Sequence, residues 1–484
     1  MSHRAAGGLQ RAVDALPIVG LDESVIDILQ RDDETDEEAD NPEQEADNDV
    51  PSFPSVEKVS IEEDLVNQPA CIAFTSSMAR LVNFLQLPIQ KCFYRDKLIG
   101  TECDATPPFH VKLNRRGSAT IIEWFCINGH MLWKWNSQPV LKYAMQGGDF
   151  MVATNILLSG NNFSKLALFF RFMNIGVVSP KTFRLIQNHY LVDSIKDFWG
   201  KKRAAIIDCL CAKESVVALA DGRMDSPGHT AQFCTYTTME NESKDIISVV
   251  TVDKRQTNRN SVIMEKHAFI QTFDNLLADL NITEIVTDAH MQISALLDPR
   301  KGRYKDKAII HSLDVWHAAK NLTKKLHVAG ILKGNSILLV WLKDIVNQFW
   351  YIYQKAQHRD MFNDMWVGVL HHVTGKHEWT RGKCDHGPLD ATTSDKELMV
   401  PGSPPHEALQ RIMFNRRWLK DVTKYLTFRS TSELESFQNC ILMYAGKRFA
   451  FSPPVYEARC LLAALDYNHH NHRPDYITRK NEKS

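Results

Sequence analysis

The 484-residue chain has no stretch approaching the roughly 20 consecutive apolar residues that a membrane-spanning helix needs. Its first twenty residues, MSHRAAGGLQRAVDALPIVG, also lack the continuous apolar core of a secretion signal. These absences predict a soluble, intracellular protein with no membrane partner. Cysteine is sparse and unevenly placed. Ten residues at irregular spacings do not make the framework of a secreted disulfide scaffold, so free thiols or metal ligands are expected. Net charge is nearly absent as well, at −1, but the balance is uneven. The segment DDETDEEADNPEQEADND, residues 32–49, holds eleven acidic residues and no basic one, so the rest of a chain of charge −1 carries +10. Such a block cannot bury enough apolar surface to offset chain entropy and is expected to be disordered, either as a solubilising tail or as a nucleic-acid mimic competing for a basic surface.

What is present is ordinary for a globular protein: 44% hydrophobic and 24% charged residues, enough for two or three domains with cores. Between Cys92 and Trp135 the text is short and strand-like, and it contains Cys92, Cys103, Cys126 and His130, the last two as C-x3-H. Thiolate and imidazole suit tetrahedral Zn2+, which would staple a strand-rich unit with little core; the alternative is a set of ordinary buried cysteines. Residues 149–195 read as helical. In FSKLALFFRFMNIGVVSPKTFRLIQNHYL, residues 163–191, one helix ends near Asn174, a turn carries Gly176, and Ser179-Pro180 starts a second helix bearing Lys181, Arg184, Gln187 and Asn188. This is the outline of a helix-turn-helix offering polar side chains to a DNA groove, or a simple packed pair. The basic run Lys201-Lys202-Arg203 fits phosphate contact or nuclear import.

From residue 213 the pattern turns to strands. ESVVALADGRMD, TAQFCTYTTME and DIISVVTVDK read as three consecutive strands, followed by the helix MEKHAFIQTFDNLLADL, the strand ITEIVTDAH, a short helix, and the strand KAIIHSLDVWH running into another helix. Three antiparallel strands followed by strand–helix alternation predict an α/β fold with a mixed five-stranded sheet, the strand order of the ribonuclease-H-like fold. Asp221 and Asp288 then stand at the ends of neighbouring strands, where paired carboxylates can share Mg2+ or Mn2+. Gly222 would let backbone and substrate approach closely. A third carboxylate is expected from STSELESFQNCILMYAGKR, residues 430–448, with Glu435 in the first turn of a capped helix. Each acid has a plainer alternative as a turn cap or a partner of the helix dipole. Further along, HHVTGKHEWTRGKCDHGPL supplies His371, His377, Cys384 and His386 as a second candidate zinc set.

The blocks ADGRMDSPGHTAQFCTYTTM, VTDAHMQI, HSLDVWHAAKNLTKKL, KCDHGPL, RRWLKDVTKYL, TSELESFQNCILMYAGKRFAFSP and LAALDYNHHN, with CINGHMLWKWNSQP and the 157–183 block upstream, resemble successive blocks of the transposon-derived DDE transposases of Kolobok type. The resemblance covers about residues 70–472. It implies a metal-dependent enzyme that cleaves and transfers DNA strands at transposon ends, with Asp221, Asp288 and Glu435 on the three acids of the pattern. It further implies Asp225 as a turn or outer-shell residue, Asp314 and His317 as supports at the site's edge, double-stranded DNA as partner, a homo-oligomer and residence in the nucleus. Where the family usually has His three residues after the third acid this chain has Gln438, and an N-terminal zinc-dependent DNA-binding domain common among relatives is not found. Both departures suit a domesticated, catalytically weak DNA-binding or chromatin protein; a plain nuclease of the same fold is a third reading. The division expected is a disordered tail over 1–60, an N-terminal domain with the Cys/His unit over 61–148, a helical DNA-binding domain over 149–203, a catalytic core over 204–320, a helical insertion over 321–425, the core's helical end over 426–472 and a second disordered tail over 473–484.

Overall fold

The computed structural model describes residues 53–56, 58, 61, 73, 75–95, 101–386, 396–471 and 473. The acidic segment 32–49 and nearly all of the two expected tails lie outside the described residues. The chain forms two compact units, each discontinuous in sequence: residues 1–201 with 443–466, and residues 202–442 with 467–484.

In the first unit, helix α1 (Thr75–Phe84) precedes an antiparallel sheet of β1 (His110–Arg116), β2 (Ala119–Phe125) and β3 (Met131–Asn136), in that order. Gly117, at φ +56°, supplies the left-handed residue of the two-residue hairpin joining β1 to β2. Strand β2 is central and largely buried, and Trp124 stacks on Trp133 across the β2–β3 pair with centroids 4.7 Å apart. The core under this sheet is small: Val82, Ile89, Ile122, Trp124 and Leu132, with Cys92, Cys103 and Cys126 completing it. Four helices follow: α2 (Gly147–Leu158), α3 (Phe163–Phe172), α4 (Pro180–Ile186) and α5 (Val192–Cys211), whose residues from 202 onward belong to the second unit. The Ser179 hydroxyl accepts from Thr182 N–H at 3.1 Å, capping α4, and Pro180 takes its first turn. A π-helical turn, Gln187–Leu191, then carries α4 straight into α5.

The second unit holds a five-stranded sheet of β4 (Val216–Met224), β5 (Phe233–Glu240), β6 (Ile246–Asp253), β7 (Ile282–Thr287) and β8 (Ile310–Leu313), in the order β6-β5-β4-β7-β8. The first three strands pair antiparallel, while β4–β7 and β7–β8 are parallel. The mixed five-stranded sheet expected from the pattern of elements is therefore present. Apolar alternation buries Val216, Ala218 and Ala220 of β4 against Ala268, Phe269 and Phe273 of α6 (Met264–Asp279), which lies on β5 and β6. Helix α7 (Met291–Leu296) follows β7, and α8 (Val315–Gly330) follows β8. Beyond it a helical segment contains α9 (Ile337–Lys355), α10 (Arg359–His372), a small hairpin of β9 (Glu378–Trp379) and β10 (Gly382–Lys383), α11 (Pro404–Met413) and α12 (Arg416–Asp421). Its core is aromatic. Phe349, Tyr353, Phe362, Trp366 and Trp418 meet with ring centroids 4.6–6.3 Å apart. Helices α13 (Ser432–Tyr444) and α14 (Pro453–Asn471) end the described chain.

Candidate active site and Cys/His groups

Strand register brings the first two acids together. In the parallel β4–β7 pair Leu219 and Val286 are the last paired residues, and Asp221 and Asp288 each stand two residues beyond them; the sequence placed Asp221 at a strand end, but β4 runs on past it to Met224 beside β5, while Asp288 lies just past the end of β7. Side chains alternate with period two and neighbouring strands run about 4.8 Å apart, so both carboxylates emerge on one face. Glu435 comes from the first turn of α13, where its N–H donates to Thr431 O at 2.9 Å while Leu434 is buried in the core. One turn on, Gln438 donates from Nε2 to Asp221 Oδ2 at 2.8 Å, and the Arg223 guanidinium of β4 donates to Gln438 O. These two bonds hold α13 to the strand that carries Asp221.

Behind Glu435 stands an ordered relay. Asp314 is fully buried; its carboxylate caps α8 through Trp316 N–H at 2.7 Å, accepts from the Thr431 hydroxyl at 2.6 Å, and meets His317 Nδ1 at 2.6 Å. The opposite nitrogen of His317 lies 3.3 Å from Glu435 Oε1. Burial pulls the His317 pKa down, but the carboxylates of Asp314, Asp221 and Glu435 outweigh it and raise it above the ordinary imidazole value. Asp225 is a turn residue: its Oδ1 accepts from Gln232 and Phe233 N–H groups at 2.9 and 3.1 Å.

The sequence reading missed a fourth acid. Glu265, in the first turn of α6, faces Asp221 and Asp288, and its Oε2 lies 3.8 Å from His290 Nε2. Gly222 is where it enters. A Cβ on that glycine would come within 2.6 Å of Glu265 Cγ, so the space expected to admit substrate is filled by this side chain. The signal available was positional: Glu265 opens the helix that packs over β4–β6. Burial, then the Asp288 and Asp221 charges, push Glu265 up to about 8. Burial, then Asp288 and Glu435, push Asp221 up to about 7, against the opposing pull of His317 and Gly222 N–H.

Among the described residues, two Cys/His groups have donor atoms that all lie within 4.8 Å of one another and could hold a metal such as zinc; the three acids are not gathered so closely. The first group is Cys92, Cys103, Cys126 and His130. Cys126 N–H donates to His130 O and Gly129 N–H to Cys126 O, a tight turn that needs Gly129 at φ +84° and swings His130 Nδ1 to 3.5 Å from Cys126 Sγ and 3.8 Å from Cys92 Sγ. Tyr94 stacks on the imidazole at 3.9 Å and donates its N–H to Cys92 Sγ. The Ala105 N–H and Asn128 hold the Cys103 thiol down to about 6, while burial pushes Cys92 up to about 12. The second group is His372, His377, Cys384 and His386, which corrects one expected ligand. Successive helical residues point about 100° apart, and it is His372 that turns inward at the end of α10; His371 stacks on Trp379 instead.

The residues expected from the sequence to face DNA are divided by burial. Lys181, Arg184 and Asn188 are exposed at i, i+3 and i+7, but Gln187 is buried within the π-helical turn and presents no face to a groove. Lys201 and Lys202 are exposed, whereas Arg203 donates to Ile247 O and Asp279 Oδ2, both at 2.8 Å, and serves the fold. No helix among the described residues is long and apolar enough to cross a membrane. No protein-family model matches the chain, and no curated protein matches it.

Proposed function

We propose that the protein is a DDE transposase-like enzyme on a ribonuclease-H-like core, cleaving and joining DNA strands with Mg2+ or Mn2+ held by Asp221, Asp288 and Glu435. The observation that supports this reading is that Asp221 and Asp288 each stand two residues beyond the last paired residues of the parallel β4–β7 pair, while α13 brings Glu435 to His317 and Gln438 to Asp221. In this reading two cations sit between the acids, one activating water or a DNA 3′-hydroxyl and the other stabilising the leaving oxygen of the scissile phosphate. His317, oriented by Asp314 and with its pKa raised by the surrounding carboxylates, stands beside Glu435 as a source of positive charge when protonated. The exposed Lys181, Arg184, Asn188, Lys201 and Lys202 are the proposed phosphate contacts, α3 and α4 the proposed helix-turn-helix, and the nucleus the place of action.

A second reading, a transposase-derived DNA-binding protein that has lost strand transfer, is favoured by one feature. The Gln438 amide occupies an Asp221 oxygen and cannot shuttle a proton. Calorimetry of Mg2+ and Mn2+ binding in the presence of duplex DNA, alongside plasmid nicking, separates the two. The enzyme reading expects binding and nicking in the parent chain and their loss in Asp221→Asn, Asp288→Asn and Glu435→Gln. Metal binding indifferent to all three changes defeats it, and DNA binding without metal binding leaves the second reading.

A further inference from the structure

The geometry points to one Zn2+ ion bound by His372, His377, Cys384 and His386, acting as the staple of the excursion between α10 and α11, independently of the chemistry at Asp221. The excursion leaves and returns at one point, where Met399 N–H donates to Val373 O at 2.9 Å. Within it the regular structure is limited, among the described residues, to the two-residue strands β9 and β10. Loops this long inside a compact domain need something other than a core to fix them. The loop is laid on α9 and α10 by named contacts: Trp379 covers Gly368, Arg381 pairs with Asp364 at 2.9 Å, and Asp385 accepts from Tyr351 at 2.7 Å. Those contacts bring β9–β10 and the segment after it over the end of α10, where His372 projects.

There the donor spacing matches a metal's demands. His372 Nδ1 lies 3.4 Å from Cys384 Sγ and 3.4 Å from His386 Nε2. A tetrahedral zinc with bonds of about 2.0–2.1 Å to nitrogen and about 2.3 Å to sulfur sets nitrogen–nitrogen edges of about 3.4 Å and nitrogen–sulfur edges of about 3.6 Å. The three imidazoles are mutually edge-on, with centroids 4.9–5.3 Å apart, an arrangement that aims their nitrogens at a shared centre rather than stacking their faces. The Cys384 N–H bonds back to His377 O at 2.8 Å, fixing those two ligands relative to each other, and the buried Nδ1 of His377 has no hydrogen-bond partner. An orphaned buried imidazole nitrogen beside a thiol and two further imidazoles is explained by a bound cation.

The test is zinc stoichiometry of the full chain after loading with Zn2+ and gel filtration, by elemental mass spectrometry, with folding checked by circular dichroism. Cys384→Ser and His372→Asn are each expected to lose one zinc per chain relative to the parent, while His371→Asn keeps the parental count. Retention of the parental count in both ligand variants overturns the assignment, as does loss of one zinc in a folded His371→Asn. A second measurement needs no variant. Trypsin mapping of the unaltered chain should show cleavage after Lys376, Arg381 and Lys383 about tenfold faster once zinc is chelated. Equal rates with and without chelator refute the staple. Neither result bears on whether Asp221 serves catalysis, so the two readings fail separately.

Discussion

Replacing Asp221 by Asn should make the metal-free protein more stable. The carboxyl titrates at about 7 in the folded chain instead of at its ordinary 3.8, because it is buried and faces Asp288 and Glu435. At about 1.4 kcal/mol per pH unit, the ionised side chain costs the fold about 4 kcal/mol at pH 8. The folded-state pKa is the raised one, so stability is fully present below pH 3.8, declines as pH rises, and levels off above about pH 7. At pH 5 the same arithmetic leaves a cost of about 2 kcal/mol. The amide carries no charge but still accepts from Gln438, so the penalty vanishes while the 2.8 Å contact has a substitute. For a unit of this size each kcal/mol moves the melting temperature by about 2–4 °C. Thermal denaturation in EDTA should therefore place Asp221→Asn about 8 °C or more above the parent at pH 8 and about half as far above it at pH 5. Millimolar Mg2+ should raise the parent at pH 8 and leave the variant unmoved. An Asn variant that melts at or below the parent at pH 8 would refute the claim that this site stores repulsion for a cation.

The close packing at Gly222 gives a coupled prediction. Gly222→Ala forces its methyl onto Glu265 and Tyr236 and should cost about 1–3 kcal/mol in urea unfolding, most of it recovered in combination with Glu265→Ala; simple additivity would show that the two do not compete for one space. His311, pushed down to about 3 chiefly by burial and further by Lys424, is neutral in the fold and charges in the unfolded chain at its ordinary 6.5. Stability from this group is present above pH 6.5 and lost towards pH 3, about 2 kcal/mol of it by pH 5; His311→Gln should flatten that slope in urea midpoints measured at pH 7.5 and 5. Trp366 is fully buried among aromatic rings and donates from Nε1 to Met413 O at 3.2 Å, so Trp366→Ala should cost about 3–5 kcal/mol, and a loss under 1 kcal/mol would mean that the helical segment repacks around the cavity.

Strand alternation and order made the sheet readable, because period-two burial and the run of three strands before the first helix leave few arrangements. Asp221 and Asp288 stood out in the sequence as carboxylates beside apolar runs, which are costly unless they serve something, but that β4 continues past Asp221 to Met224 was not legible there. Glu265 was not, since a glutamate in a first helical turn is what the helix dipole favours anywhere. Only the three-dimensional closeness to Gly222 distinguishes it. The choice between His371 and His372 rests on helical phase, which adjacent identical residues do not reveal. Gln187 was misplaced because it stands four residues after the buried Phe183, so ordinary helical spacing turns it to the packed face.

Within the second unit's continuous stretch, 202–442, the acids and the helix turn that meets them lie far apart in sequence, and this orders events during synthesis. Asp221, Glu265 and Asp288 leave the ribosome well before the Glu435–Gln438 turn that answers them. Until α13 arrives, a nascent chain holds three repelling acids without the Gln438 bond or the His317–Glu435 contact. A fragment ending before residue 432 therefore keeps the His317 charge but lacks both the Gln438 bond to Asp221 and the Glu435 carboxylate that adds to the repulsion there.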